Sequence, residues 1–269
     1  MSELFGRDDA AAWIAAPADD DDKYSRGVVG FVTGSARYPG AAVIGVEAAL
    51  RTGVGMVRYL GPGRATRLVL QRRPEAVTAE GRVQAWVLGS GWDTSRKIDE
   101  LTKMVLEPAL ESPVPTVLDA GAIPRWAEFA GTLVLTPHAG ELGELLGLER
   151  SAVLADREGA ARRAVELTGA TVLLKGAETL VASVDGDLLR VRNATPWLAT
   201  AGAGDALAGI LGALVSTHAD APRLAPVAAA AAWIHGEAAR RASAGGPFTI
   251  LDLCAAIPGV VRDLATMSA

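Results

Sequence analysis

Short apolar runs of strand length alternate with stretches in which apolar residues recur every three or four positions. The first run is Gly27–Thr33, ended by Gly34-Ser35; an Ala-rich helix is expected over Ala41–Thr52, stopped by Gly53-Val54-Gly55. Further strands are predicted at Met56–Leu60, Ala85–Leu88, Thr116–Leu118, Thr132–Leu135 and Thr171–Leu174. Helices are predicted over about 95–111, 141–146, 157–168, 226–242 and 250–264. Asp185-Gly186-Asp187 separates the apolar runs 180–184 and 188–191 and signals a hairpin. Residues 61–83 read as a long connection in which Arg64, Arg67, Arg72 and Arg73 are mostly solvated. Residues 10–16 have a short helical pattern, and the four acids of 19–22 repel one another into an exposed loop. No repeat or low-complexity linker divides the chain, so 1–22 is expected to be an N-terminal extension and 23–269 a single domain. Strands and helices in alternation predict an α/β three-layer sandwich: a central, mostly parallel sheet flanked by helices.

The most distinctive pattern lies between Asn193 and Leu214. A loop of small residues, Thr200 to Gly204, runs into Asp205, and Leu207, Ile210, Leu211 and Leu214 then follow with helical spacing. The first amides of a helix lack intrahelical partners and favour an anion. Gly202, Ala203 and Gly204 are therefore candidates for an anion hole, and Asp205 for a base acting on a hydroxyl beside a phosphate. At a helix N-terminus the Asp205 carboxylate is expected to be ionised. The plain alternative is an N-cap.

Composition narrows the function. A net charge of −5 gives no support to nucleic-acid binding. The one cysteine, Cys254, sits in an apolar helical pattern; it excludes an intramolecular disulfide framework and fits a cytoplasmic location. The N-terminus lacks a signal-peptide pattern, and no apolar run is long enough to span a membrane. No Cys/His cluster suggests a metal site, and His218 and His235 read as structural. Lysine is rare, occurring only at 23, 97, 103 and 175, so Lys175, after a strand and before Gly176, suits phosphate or nucleotide contact.

In open α/β sheets ligands bind at the carboxyl ends of the strands. Gly34-Ser35, Gly89–Gly91, Asp119, His138, Lys175 and the 200–205 loop all follow predicted strands and are expected at one edge. His138 is a candidate for binding a polar substrate group; Glu141 is placed to cap the next helix or approach a phosphate-bound metal.

These residues fall into motifs: Lys23 four before Gly27; Gly34-Ser35 with Tyr38 and Gly40-Ala41; Ala48 to Gly55; Leu118 to Ala122; Leu135 to Glu141; Leu174 to Thr179; and Ala201-Gly202-Ala203-Gly204-Asp205. In combination the chain resembles the ADP-dependent NAD(P)H-hydrate dehydratases, a branch of the ribokinase-like superfamily, from about Lys23 to the C-terminus. The resemblance implies a ribokinase-like fold and ADP-dependent dehydration of (6S)-NADHX and (6S)-NADPHX to NADH and NADPH, with AMP and phosphate released. By motif position, Ala41, Gly91, His138 and Asp205 would contact the hydrate, with Asp205 as base. Lys175, Gly176, Ala177, Glu178, Thr179 and Gly204 would contact the nucleotide. ADP is implied as co-substrate, with Mg2+ held mostly by phosphate and water. A homo-oligomer, often a tetramer in the family, and a separate epimerase for the other hydrate epimer are also implied. Ala201 stands where the family usually has Gly, Ala203 where it has Ser or Thr, and Gly89–Asp93 replaces the usual Gly-Pro-Gly-Leu-Gly. The alternatives are an ATP-dependent small-molecule kinase of the same superfamily and a nucleotide-binding module without catalysis.

Overall fold

The computed structural model describes residues 3–92 and 100–268. The chain begins with β1 (Glu3–Leu4), α1 (Arg7–Ala11), β2 (Val28–Val32), α2 (Pro39–Thr52), β3 (Met56–Tyr59) and α3 (Gly63–Arg72). β4 (Ala85–Leu88), α4 (Glu100–Leu110), β5 (Thr116–Leu118), β6 (Leu133–Leu135), α5 (Ala139–Leu146), α6 (Arg150–Ala155) and α7 (Arg157–Thr168) follow. β7 (Thr171–Leu174), β8 (Thr179–Ala182), β9 (Leu188–Val191), α8 (Ala203–Thr217), α9 (Ala225–Ser243) and α10 (Ile250–Ser268) complete it. The expected start of the fourth helix, 95–99, and Asp93 of its preceding loop lie outside the described residues.

The nine described strands form one sheet in the order β1-β9-β8-β7-β6-β5-β4-β2-β3. From β3 across to β7 every pairing is parallel. β8 then pairs antiparallel with both β7 and β9, the hairpin expected around Gly186. The strands of this β3-to-β7 run are buried throughout their length except Arg58, as strands covered on both faces should be. Residues 3–4 add a final parallel strand beside β9, and α1 packs on α9 and α10.

α8 packs against α2 and against β2, β4 and β5. Its small residues permit the approach: a Cβ on Gly209 would lie 2.2 Å from the Gly45 carbonyl oxygen, and one on Gly212 would lie 2.2 Å from Val87 Cγ2. α9, with Ala228–Ala231 wholly buried, and α10 close the same side. Cys254 is buried in α10, and burial pushes its thiol up to about 12, so it is no nucleophile. No described helix is long and apolar enough to cross a membrane.

The segment 61–83 differs from its reading as a connection, because residues 63–72 form α3. Only Ala65 and Val69 of that helix are buried, too few positions for a clear period. Its arginines are mostly exposed, as expected, yet two of them are engaged. Arg72 and Arg73 reach Glu47 on α2, whose side chain is 0% exposed and also bonds Arg51. Burial alone would raise the Glu47 carboxyl; hydrogen bonds from Arg73, Arg51 and Arg72 overcome that and bring it to about 2. α6 and a 3-10 segment at Ala120–Glu128 were likewise absent from the sequence pattern.

Candidate active site

The parallel strands deliver their carboxyl ends to one edge, and a single carboxylate ties three of the tips together. Asp119, one residue past β5, is 3% exposed. It accepts hydrogen bonds from Ser90 Oγ after β4 (2.8 Å), Thr136 Oγ1 after β6 (2.8 Å) and Lys175 Nζ after β7 (2.8 Å). Burial pushes the Asp119 carboxyl up, but the Lys175 ammonium and the three hydrogen bonds hold it below the usual range. Lys175 is correspondingly raised: burial lowers it, and Asp119 and Glu141 more than compensate. Asp119 was legible as a strand-tip acid; its role as the common acceptor was not.

The organising loop arrives at the same place. Gly202 adopts φ +92°, which reverses the chain into α8 and which a side chain would strain, and Ile44 and Ile250 pack against it. The Ala203 amide donates to the Thr200 carbonyl at 3.3 Å, so it is partly used within the loop. Gly204 faces Lys175: a Cβ there would stand 3.4 Å from Nζ. Asp205 is the third residue of the helix and the only acid of its first turn. Its expected ionisation is corrected here. Burial, followed by repulsion from Asp119 and partly offset by Lys175, raises its carboxyl to about 7. Desolvation outweighs the favourable end of the helix dipole.

His138 caps α5, which begins at Ala139, two residues earlier than the pattern indicated. Its Nδ1 accepts from the amides of Gly140 (3.0 Å) and Glu141 (3.1 Å), and its own amide donates to Glu141 Oε2 (2.7 Å). These bonds assign the proton of the neutral ring to Nε2. The side chain is 59% exposed, so Nε2 is accessible as a donor. Glu141 stands between the His138 ring and the Lys175 ammonium, Oε1 3.6 Å from His138 Nε2 and Oε2 3.7 Å from Lys175 Nζ. His138 thus joins the Asp119–Lys175–Asp205 group through Glu141.

Ala41 and Gly91 meet directly. Gly91 has φ +72°, and a Cβ on it would fall 2.6 Å from Ala41 Cβ and 2.9 Å from the Tyr38 carbonyl. The turn from Lys175 through Gly176, Ala177 and Glu178 to Thr179 links β7 to β8 at this edge. The Lys175 amide donates to the Pro137 carbonyl (2.8 Å), and Arg157 braces the turn through the Leu174 and Lys175 carbonyls (3.3 and 3.4 Å). Gly176 and Ala177 are exposed above it. Among the described residues no group of three His, Cys, Asp or Glu side chains is set to hold a metal. His218 bonds the Leu214 carbonyl and stacks edge-on with Trp13, away from the strand tips. A hollow of about 870 Å³ near it, lined by Trp13, Tyr24, Gln84 and Pro115, holds none of the strand-tip residues.

The family model described as NAD(P)H-hydrate dehydratase matches residues 29–256. A bifunctional NAD(P)H-hydrate repair enzyme of Mycobacterium tuberculosis is 40% identical over 79% of this chain and 46% of its own length. The chain thus spans about half the length of that relative. An ADP-dependent (S)-NAD(P)H-hydrate dehydratase of Neisseria meningitidis is 37% identical over 83% of this chain and 80% of its own. Among solved structures, the ADP/ATP-dependent NAD(P)H-hydrate dehydratase of Bacillus subtilis superposes with TM-score 0.87 at 22% identity, over 98% of this chain and 99% of that one. A ribokinase-like superfamily protein of Enterococcus faecalis gives 0.85 at 20%, over 98% and 96%, so the fold is ribokinase-like. With the strand-tip residues assembled at one edge, a family model matching residues 29–256 and a relative 37% identical over 83% of the chain, the chain belongs to the NAD(P)H-hydrate dehydratase family.

Proposed function

We propose that this protein is an ADP-dependent dehydratase of (6S)-NADHX and (6S)-NADPHX, restoring NADH and NADPH with release of AMP and phosphate. The observation that carries the reading is Asp205: a carboxyl poised near 7, in the first turn of α8, beside an ammonium. A base with that pKa takes a proton from a hydroxyl at neutral pH. The hydrate hydroxyl, deprotonated by Asp205, attacks the terminal phosphorus of ADP, and the bond to AMP breaks. Lys175 and the amides of Gly202, Ala203 and Gly204 stabilise charge on the phosphoryl oxygens during transfer. The ring C–O bond of the ester then breaks, phosphate departs, and the adjoining ring carbon gives up a proton to it, the C–H electrons restoring the double bond. Esterification turns a poor leaving group into a good one.

In this reading Ala41, Gly91 and His138 line the hydrate side, with His138 Nε2–H donating to a polar group of the substrate. Lys175 to Thr179 and Gly204 line the nucleotide side. A Mg2+ ion would be carried by the nucleotide phosphates and water, with Glu141, 3.7 Å from the Lys175 ammonium, the carboxylate on that side; when bound it would supply charge neutralisation. The Bacillus subtilis structure was co-crystallised with ATP and Mg2+, which agrees with a nucleotide–magnesium pair. A homotetramer, a cytoplasmic location and a functional link to an NAD(P)HX epimerase belong to the same reading; the mycobacterial relative is a bifunctional repair enzyme.

The test is direct. Purified protein is mixed with hydrated NADH, ADP and magnesium, and the near-ultraviolet band of reduced nicotinamide is followed with AMP. Recovery of the band with one AMP per NADH supports the reading. A stable phosphorylated product without the band identifies a kinase instead, and nucleotide binding without any product identifies a binding module.

A further inference from the structure

Ser90 belongs to both halves of the site. It lies just past β4 between two glycines of positive φ, Gly89 (+100°) and Gly91 (+72°), and is 2% exposed. Its backbone is part of the side where Ala41 and Gly91 meet. The Ser90 carbonyl accepts from the Gly34 amide at 2.7 Å, and a Cβ on Gly91 would fall 2.9 Å from the Tyr38 carbonyl. The same loop lies flush on the tip of β5, since a Cβ on Gly89 would stand 2.1 Å from the Asp119 carbonyl oxygen. The Ser90 side chain is bound elsewhere. A hydroxyl carries one proton and a carboxylate only accepts, so Oγ donates to Asp119 Oδ2 at 2.8 Å.

The Asp119 carboxylate divides its partners between its oxygens. Oδ1 takes Lys175 Nζ and Thr136 Oγ1, each at 2.8 Å, and Oδ2 takes Ser90. Rotation of a carboxylate about χ2 is soft, so donors on both oxygens are what fix its plane. Without the Ser90 hydroxyl, a buried Oδ2 is short of a donor, and rotation toward another one carries Oδ1 away from the ammonium. The lysine that faces Gly204 is thus held in place from a loop on the far side of Asp119.

We propose that Ser90 is a positioning residue that acts through Asp119 on Lys175, so that a hydroxyl on the hydrate-side loop sets the aim of the ammonium at the terminal phosphate of a nucleoside diphosphate. Its hydroxyl is spent on Asp119 and acts on the nucleotide only through the lysine. The nucleotide end of the proposal rests on the function proposed above, whereas the relay from Ser90 to Lys175 does not.

Two readouts on the full chain separate them. One is the Kd for ADP with magnesium by calorimetry. The other, without nucleotide, is acetylation of Lys175 followed by mass spectrometry, with the exposed Lys23 as internal reference. Ser90→Ala removes one oxygen and leaves Asp119 two donors. Its Kd for ADP is expected to rise about fivefold to tenfold. Lys175, less firmly paired, is expected to acetylate about threefold faster relative to Lys23. Ser90→Cys keeps the volume with a weaker donor and moves both readouts the same way, which a space-filling role would not produce. In an Asp119→Asn background Ser90→Ala adds less than about twofold to the Kd, because the effect runs through that carboxylate. A Kd for Ser90→Ala within about twofold of wild type overturns the proposal, as does a change that is fully additive with Asp119→Asn. Unchanged Lys175 acetylation in Ser90→Ala, or wild-type behaviour of Ser90→Cys, overturns the relay itself, and these two results decide if Asp119→Asn does not fold. Failure of the wild type to bind ADP overturns the nucleotide reading and leaves acetylation to judge the relay alone.

Discussion

Lys175 holds its ammonium 2.8 Å from Asp119 Oδ1, and the same nitrogen lies against Gly204 at the start of α8. The pair is asymmetric. The carboxylate is saturated by Ser90, Thr136 and Lys175, whereas the ammonium keeps donor capacity toward the loop. The lysine is therefore both the counter-ion of a buried acid and the cation beside the first turn of α8.

Replacing that lysine tests both roles at once. Lys175→Met leaves Asp119 buried with hydroxyl partners only, and a stranded charge costs about 3–5 kcal/mol. Urea unfolding should show that loss, and calorimetry a weaker affinity for ADP. Stability unchanged within experimental error would mean that Asp119 does not depend on its ion pair.

The pH profile follows from Asp205. Because its carboxyl sits near 7, kcat/KM should rise with pH through that value as the base ionises. Asp119→Asn removes the neighbouring negative charge that helps raise it, so the acid limb should move to lower pH. A limb near 4 in the wild type would contradict a buried, desolvated Asp205.

Asp205→Asn should trade activity for stability. Turnover is expected to fall by about 10²–10⁴ with loss of the base. The sign of the stability change follows from proton counting. Below the ordinary carboxylate value of 3.8 the group is protonated in both folded and unfolded chains. Between there and about 7 the unfolded chain releases a proton that the folded chain keeps, so the wild type loses stability as pH rises. The variant escapes that loss and should be more stable at pH 8 by on the order of 3 kcal/mol, with no gain at acid pH. Equal unfolding midpoints at both pH values would refute it.

Glu47 gives the opposite sign far from the chemistry. Its folded carboxyl lies near 2, below the usual 4.5, so its three arginines stabilise the fold above 4.5, and that contribution fades as pH falls toward 2. Glu47→Gln should cost about 3 kcal/mol at pH 7 and flatten the acid unfolding curve, because it uncouples α3 from α2. Parallel melts of the two proteins from pH 7 to pH 2.5 measure the difference.

Much of this architecture is written locally. The run Gly27–Thr33 is apolar at every position that matters for a strand covered on both faces, and β2 occupies its middle. The helix over 157–168 begins and ends where its cap residues, Asp156 and Gly169, place it. Chain punctuation also marked the residues that meet at the sheet edge, since Asp119, His138, Lys175 and Asp205 each follow a strand or a glycine-rich loop. α3 was missed because only two of its residues are buried; its stability comes from arginines meeting an acid on another helix.

The sequence alone determined most of the strands and helices and the polar residues that end them, β1, α3 and α6 excepted, because periodicity and turn chemistry depend on near neighbours. Only the tertiary structure decided that Asp205 holds its proton to about 7 and that Asp119 is the shared acceptor of three strand tips. Each of those depends on burial and on distances between groups far apart along the chain. Desolvation and Coulomb attraction act through space, and that geometry exists only once the sheet and its helices have closed around it.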